Sequence, residues 1–298
     1  MRPRYEGTIM RKPLPAIRSI LAVTIICLAC AAPEAGAQEE SLQPPSAEYS
    51  QGLQFTSLAN MPIAGLLERG SFEVDLRMYP EGGLFTFVTI GLFKSMNIGI
   101  SYGADNVIGR GKVTWNPNVE AAVKLRVISE TVHLPAIAVG YASQGYGPWL
   151  GEKSLGDEDP DRYMVKSPGL YAVASKNWRF LFEFGTHFGI NKSFENADDD
   201  DLNAFIGADI SLNPEFYFLA EYDLAINDNH KVNSLGYKNG YLNVGVKWAA
   251  TPRLRLELIF TNLLDNVRKA DKAATIQNLA ETLGGAGREI RIVYTDWF

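Results

Sequence analysis

Twelve stretches of this chain alternate apolar and polar residues with a period of two, and their length leaves few folds open. Phe72, Val74, Leu76 and Met78 oppose Glu73, Asp75 and Arg77. Val123, Leu125 and Val127 oppose Lys124 and Arg126, and Leu254, Leu256, Leu258 and Phe260 oppose Arg253, Arg255 and Glu257. Successive strand side chains point to opposite faces, so each stretch reads as a strand with one apolar face. The pattern predicts strands near 72–79, 84–93, 96–103, 119–128, 135–143, 168–176, 178–190, 203–212, 215–227, 239–249, 252–262 and 288–298. Most match the ~9–11 residues that a tilted strand needs to cross a bilayer, and exceed the ~5–6 usual in globular sheets.

The connections sort by length. With the last strand ending in the periplasm, the inner turns fall at Lys94-Ser95, 129–134, Lys176-Asn177, Asn213-Pro214 and 249–252. The outer loops are then 104–118, 144–167, 191–202, 228–238 and 263–287, with Pro80-Glu81-Gly82-Gly83 the one short member. Short inner turns and long outer loops characterise outer-membrane barrels. The fold expected is all-β: an antiparallel transmembrane β-barrel of about 12 strands, with a short helix before the last strand. That helix is the approximate helical stripe of residues 263–283, stopped by Gly284-Gly285 and placed on the rim or in the mouth as a plug. A lipocalin-like barrel or a sandwich alternates too, but with its apolar face inward. The tryptophans at 115, 149, 178, 248 and 297 fall mostly at or near strand ends, which suits membrane interfaces.

The N-terminus points to export. Arg2, Arg4, Arg11, Lys12 and Arg18 precede an apolar run from Ile20 to Ala32, and Ala35-Gly36-Ala37 supplies an A-x-A site. Residues 1–37 are therefore read as a signal peptide, 38–60 as a periplasmic tether and 61–298 as the barrel, with Met10 an alternative start. The two cysteines, Cys27 and Cys30, lie in the signal, which leaves no disulfide framework or thiolate metal site downstream. Residues 1–37 carry five basic and two acidic side chains, so the remainder holds −9 of a total of −6. An acidic exported chain is a poor nucleic-acid binder.

The closing strand, REIRIVYTDWF, resembles the C-terminal signature of bacterial outer-membrane proteins. The resemblance implies that Ile290, Ile292, Tyr294 and Phe298 form a membrane-insertion signal read by the barrel assembly machinery, and that the chain sits among outer-membrane lipids. Asp296 departs from the signature, where a hydrophobic residue is usual. Four internal segments are similar to YjbH-type outer-membrane proteins: NMPIAGLLERGSFEV (60–74), IGLFKSMNIGISYG (90–103), VKLRVISETVHLPAIAVGYASQGYG (123–147) and GLYAVASKNWRF (169–180). That resemblance implies a role in exopolysaccharide production or export, with polysaccharide or its export proteins as partners. It transfers no catalytic residue.

The inward faces supply the candidate lumen residues: Arg77, Lys124, Arg126, Glu183, His187, Glu221, Asp223, Arg253, Arg255 and Glu257. Their signs are mixed, which favours a paired, partly filled interior over a strongly selective pore. His187 follows Glu183 by four residues on one face, a spacing that allows a base with an orienting carboxylate, but no nucleophile is tied to it by spacing. His133 and His230 have no metal-ligand spacing. The acidic runs at 157–161 and 198–201 read as solvated loop faces, Gly145-Tyr146-Gly147 reads as a turn, and no cofactor is expected. The sequence thus predicts a non-enzymatic outer-membrane barrel with a link to exopolysaccharide. A small-solute porin is the alternative, and a lipid or glycan hydrolase the third reading.

Overall fold

In the computed structural model, residues 55–151, 161–179, 182–195, 199–229, 235–236, 239–266 and 285–298 are described. Twelve long strands close on themselves. In chain order they are β1 (Ser71–Tyr79), β2 (Gly83–Phe93), β3 (Met96–Asp105), β5 (Glu120–Ile128), β6 (Ala136–Ala142) and β9 (Gly169–Arg179). The ring continues with β10 (Glu183–Lys192), β11 (Asn203–Ser211), β12 (Phe216–Asp223), β13 (Tyr241–Ala249), β14 (Leu254–Thr261) and β15 (Gly287–Trp297). Each strand pairs antiparallel with its neighbour, and β15 pairs with β1 to close the barrel. A two-residue strand β4 (Thr114–Trp115) lies on β3, and β7 (Tyr146–Leu150) with β8 (Arg162–Val165) forms a separate hairpin.

All twelve predicted strands are present, and the registers put the expected residues on a common face. One inward row runs Ser175, His187, Gly207, Glu221 and Asn243 through directly paired positions. The alternate, outward positions are apolar and exposed, among them Ile100, Phe188, Ile206, Phe218, Leu258 and Ile290. Aromatic rings gather at the short-turn end. Trp178 stacks on Phe184 at 6.3 Å, Phe216 on Trp248 at 6.1 Å, and Phe72 packs on Phe298 at 5.2 Å. A continuous apolar wall with an aromatic belt is unstable in water and matched to a bilayer with its interface.

Local chemistry closes the short turns. Asn213 Oδ1 accepts hydrogen bonds from the amides of Glu215 (2.9 Å) and Phe216 (2.8 Å), and Thr251 Oγ1 does the same for Leu254 (2.9 Å). One predicted turn is displaced. Lys176 and Asn177 lie within β9, which runs on to Arg179 and pairs with β10 from Glu183, because the alternation continues unbroken through Trp178. Gly145-Tyr146-Gly147 is no simple turn, since Tyr146 opens β7; Trp149 belongs to that hairpin rather than to a belt. Of the predicted helix, 263–283, the first four residues are described and are not helical; the rest of it, and the signal peptide of residues 1–37, lie outside the described residues.

The barrel's interior is filled by two insertions. Residues 55–69, which the sequence reading divided between the tether (38–60) and the barrel (61–298), enter from the short-turn end. They turn back at 58–61, with a Leu58 amide bond to Met61 O (3.0 Å) and a Ser57–Pro62 bridge, and leave at the same end. The β7–β8 hairpin folds in from the long-loop end.

Candidate functional site: the plugged lumen

The inserted segment is held on two sides by opposite charges. On β12 the Glu221 carboxylate accepts three successive backbone amides, from Ala59 (3.0 Å), Asn60 (2.8 Å) and Met61 (3.1 Å), and a fourth bond from Asn243 Nδ2 (2.8 Å). On β5, five places round the twelve-strand ring from β12, Lys124 Nζ donates to the carbonyls of Thr56 (2.5 Å), Ile63 (3.0 Å) and Gly65 (3.2 Å). Lys247 Nζ donates to Ser57 O (2.7 Å), Arg291 to Leu58 O (3.3 Å), and Arg77 to Ala59 O (3.2 Å). Each of these wall groups is buried, so each bond replaces water that the group has lost.

The wall's charges also pair among themselves. Arg77 bonds Glu289 through Nε at 2.5 Å, Arg291 Nε lies 3.1 Å from Asp75, and Arg255 Nε bonds Glu257 at 2.5 Å. Lys247 lies 3.7 Å from Glu257, and Arg255 reaches Glu73 at 3.5 Å. Apolar side chains of the insertion fill what remains. Leu58, Ala59 and Ile63 pack on Leu219 and Ile259, while Met61 and Ala64 pack on Ala138, Val173 and Phe205. Two glycines make room. A Cβ at Gly207 would meet Leu58 Cδ1 at 2.2 Å, and one at Gly65 would meet Phe55 O at 2.0 Å.

The sequence-predicted lumen residues divide. Arg77, Lys124, His187, Glu221, Asp223, Arg255 and Glu257 are buried inside the barrel. Arg126 is half-buried near the short-turn end of β5. Glu183 is exposed and bonds Arg179 Nε at 2.9 Å, not His187. Arg253 precedes β14 and points away from the lumen, pairing with Asp296 at 3.0 Å on the short-turn rim. Asp296 also accepts from Tyr294 Oη at 2.7 Å, so the residue out of pattern in the final strand has two partners there. Ile290, Ile292 and Tyr294 face outward and are exposed, and Phe298 lies against Phe72.

His187 has partners the sequence did not reveal. Its Nδ1 lies 2.8 Å from Ser175 Oγ and its Nε2 2.8 Å from Asp209 Oδ1, across three neighbouring strands. Ser175 Oγ accepts the Ala64 amide at 2.9 Å. A serine, a histidine and an aspartate in line invite a hydrolytic reading. The arrangement is instead consumed by the insertion: Ser175 is buried, with Ala64 seated on it, and His187 is 4% exposed. Among the described residues, no group of three or more His, Cys, Asp or Glu is placed to hold a metal ion.

The long-loop hairpin is anchored by a second buried set. Arg162 makes a two-pronged pair with Asp228, Nη1–Oδ1 at 2.6 Å and Nη2–Oδ2 at 3.1 Å. Tyr241 Oη and the Leu235 amide complete that carboxylate at 3.0 and 3.1 Å. Lys166 donates to Asp199 O (2.7 Å) and Asn227 O (2.5 Å), and burial lowers its pKa to about 8. Glu195 accepts the amides of Tyr163 (3.0 Å) and Ser167 (3.1 Å), yet burial outweighs those bonds and pushes its pKa up to about 7. The two insertions meet where Tyr146 Oη donates to Asn60 O at 2.8 Å, with Arg77 over the Tyr146 ring at 4.4 Å.

No family model and no curated protein matches the chain, so the YjbH-type resemblance finds no support there. Solved barrels are similar in outline. The KdgM porin has a TM-score of 0.42 and 8% identity, covering 75% of this chain and 98% of its own. The NanC porin has 0.40 and 10%, covering 76% and 99%. An outer membrane channel from Pseudomonas putida F1 has 0.39 and 8%, covering 78% and 97%. Similarity at this level says nothing of what passes through this barrel; the closed ring and its apolar exterior decide its place. The chain is an outer-membrane β-barrel. Its short-turn end is periplasmic, its long-loop end is external, and residues 55–69 are a plug that enters and leaves on the periplasmic side.

Proposed function

We propose that this protein is a non-enzymatic outer-membrane channel for small solutes, held shut at rest by its own segment 55–69. The observation that carries this is the plug's re-entrant path. Both of its legs return to the periplasmic end, so it can withdraw without threading through the barrel. The wall it would vacate keeps most of its charges paired, through Arg77–Glu289, Arg291–Asp75 and Arg255–Glu257. A wall whose ions are already partnered tolerates water; an apolar core would not. This reading replaces a role in exopolysaccharide production with passage of solute.

Planar-bilayer recording tests it, using wild type and Gly65→Val. The added side chain has no room against Phe55 O, so the seated plug is strained. Wild type is expected to be closed with brief openings, and Gly65→Val to be open for a much larger fraction of the time. No conductance from either protein, with the barrel folded, sinks the channel reading.

A further inference from the structure

The plug shows what kind of molecule the wall is built to hold. The wall bonds plug amides at Ala59, Asn60, Met61 and Ala64, and plug carbonyls at Thr56, Ser57, Leu58, Ala59, Ile63 and Gly65. Asn60 Oδ1, which accepts from Arg77, is the one plug side-chain atom in this set. The hydrogen-bonded grip is on the backbone; Lys247 and Arg255 also lie over the Phe55 ring at 4.4 and 5.1 Å, and the other apolar side chains fill pockets.

Withdrawal would leave this recognition unsatisfied in a specific way. Lys124 bonds three plug carbonyls and is in no salt bridge among the described residues, so it would lose those partners together. Glu221 would keep Asn243 but lose three amides. The vacated lumen would thus offer an ammonium on β5, a carboxylate on β12, and apolar pockets at Leu219, Ile259, Val173 and Phe205. A peptide supplies carbonyls to the first, amides to the second and side chains to the pockets. A neutral sugar lacks the apolar groups, and an acidic one is repelled by Glu221.

We propose that the open lumen binds short peptides by their backbones, the seated plug being an internal ligand of that site. The proposal rests on the plug's being able to withdraw, and names the solute class of the proposed channel.

The test is fluorescence anisotropy of a labelled synthetic peptide with the sequence of residues 55–67, added to detergent-purified, full-length Gly65→Val protein. Saturable binding is expected, at least tenfold tighter than to wild type, where the resident segment competes. An unlabelled peptide of the same composition in scrambled order, with its glycine kept in place, should compete within about tenfold. Lys124→Met in the same background should weaken binding tenfold or more, and a neutral oligosaccharide of similar mass should not compete. In a second full-length protein, a specific protease site inserted at the exposed Glu68-Arg69 step converts the plug into a separable fragment that added peptide must displace. Absence of binding and of displacement in these two proteins overturns the proposal. So does binding indifferent to Lys124, or competition by the oligosaccharide as strong as by peptide. Anisotropy reads no current, so a barrel that binds peptide without conducting would refute the channel and leave the peptide site standing.

Discussion

Replacing Glu221 with Gln tests the plug's hold with little change of volume. Oε1 accepts from Asn60 N and Asn243 Nδ2, while Oε2 accepts from Ala59 N and Met61 N. The glutamine amide keeps one acceptor oxygen and turns an NH2 group toward donors, so at least two charge-assisted bonds are lost. Each such bond contributes about 1.5–3 kcal/mol, and water entering from the periplasmic side recovers part of it. The expected net loss is about 2–4 kcal/mol of seating free energy, a shift of roughly 30- to 900-fold in the open-to-closed ratio. Single-channel recording reads that ratio directly, and heat-modifiable mobility on a gel reports whether the barrel itself is intact. An intact barrel whose open fraction is unchanged would refute the reasoning, because it would mean that the three amide bonds do not hold the plug.

Two more outcomes follow from the external side. Arg162→Met leaves the Asp228 carboxylate buried without its two-pronged partner, a loss of about 3–5 kcal/mol. The β7–β8 hairpin should then become sensitive to added protease while the barrel strands stay resistant. Glu195 has a folded pKa of about 7 against a usual value of 4.5. Its contribution to seating the hairpin is therefore full below pH 4.5 and is lost as pH rises through 7, by about 3 kcal/mol in all. Hydrogen exchange of the Tyr163 and Ser167 amides should quicken over that window, and Glu195→Gln should flatten the dependence.

The barrel was legible in the sequence because each membrane strand writes its two faces as a period of two, and lipid enforces that pattern over the whole strand. The turn between β9 and β10 was not, since Trp178 continues the alternation past the point where the chain was expected to reverse. That displacement of a few residues hid the Ser175–His187 contact, because cross-strand partners depend on the turn that sets the register. The real register pairs Ser175 with His187; a reversal at Lys176-Asn177 would have placed Ser175 beside Trp178 instead. The plug was the larger omission. Apart from Asn60 Oδ1, the plug atoms that hydrogen-bond the wall are backbone atoms, which carry no sequence signature. Its one visible trace is the apolar run from Leu58 to Leu67, broken only by Asn60, Pro62 and Gly65 and lacking the period of two. Such a run ahead of the first strand belongs on neither face of a barrel wall, and the lumen is where it can be buried.

The central claim is that the lumen is closed by residues 55–69 and opens only when they leave. Ala64 N lies 2.9 Å from Ser175 Oγ, so Ala64→Cys with Ser175→Cys brings two thiols to adjoining backbone, and a disulfide bond between them would lock plug to wall. Current through this protein in planar bilayers should vanish on oxidation and return on reduction, with the crosslink confirmed by mass spectrometry. Equal conductance in the crosslinked and reduced states would contradict the account.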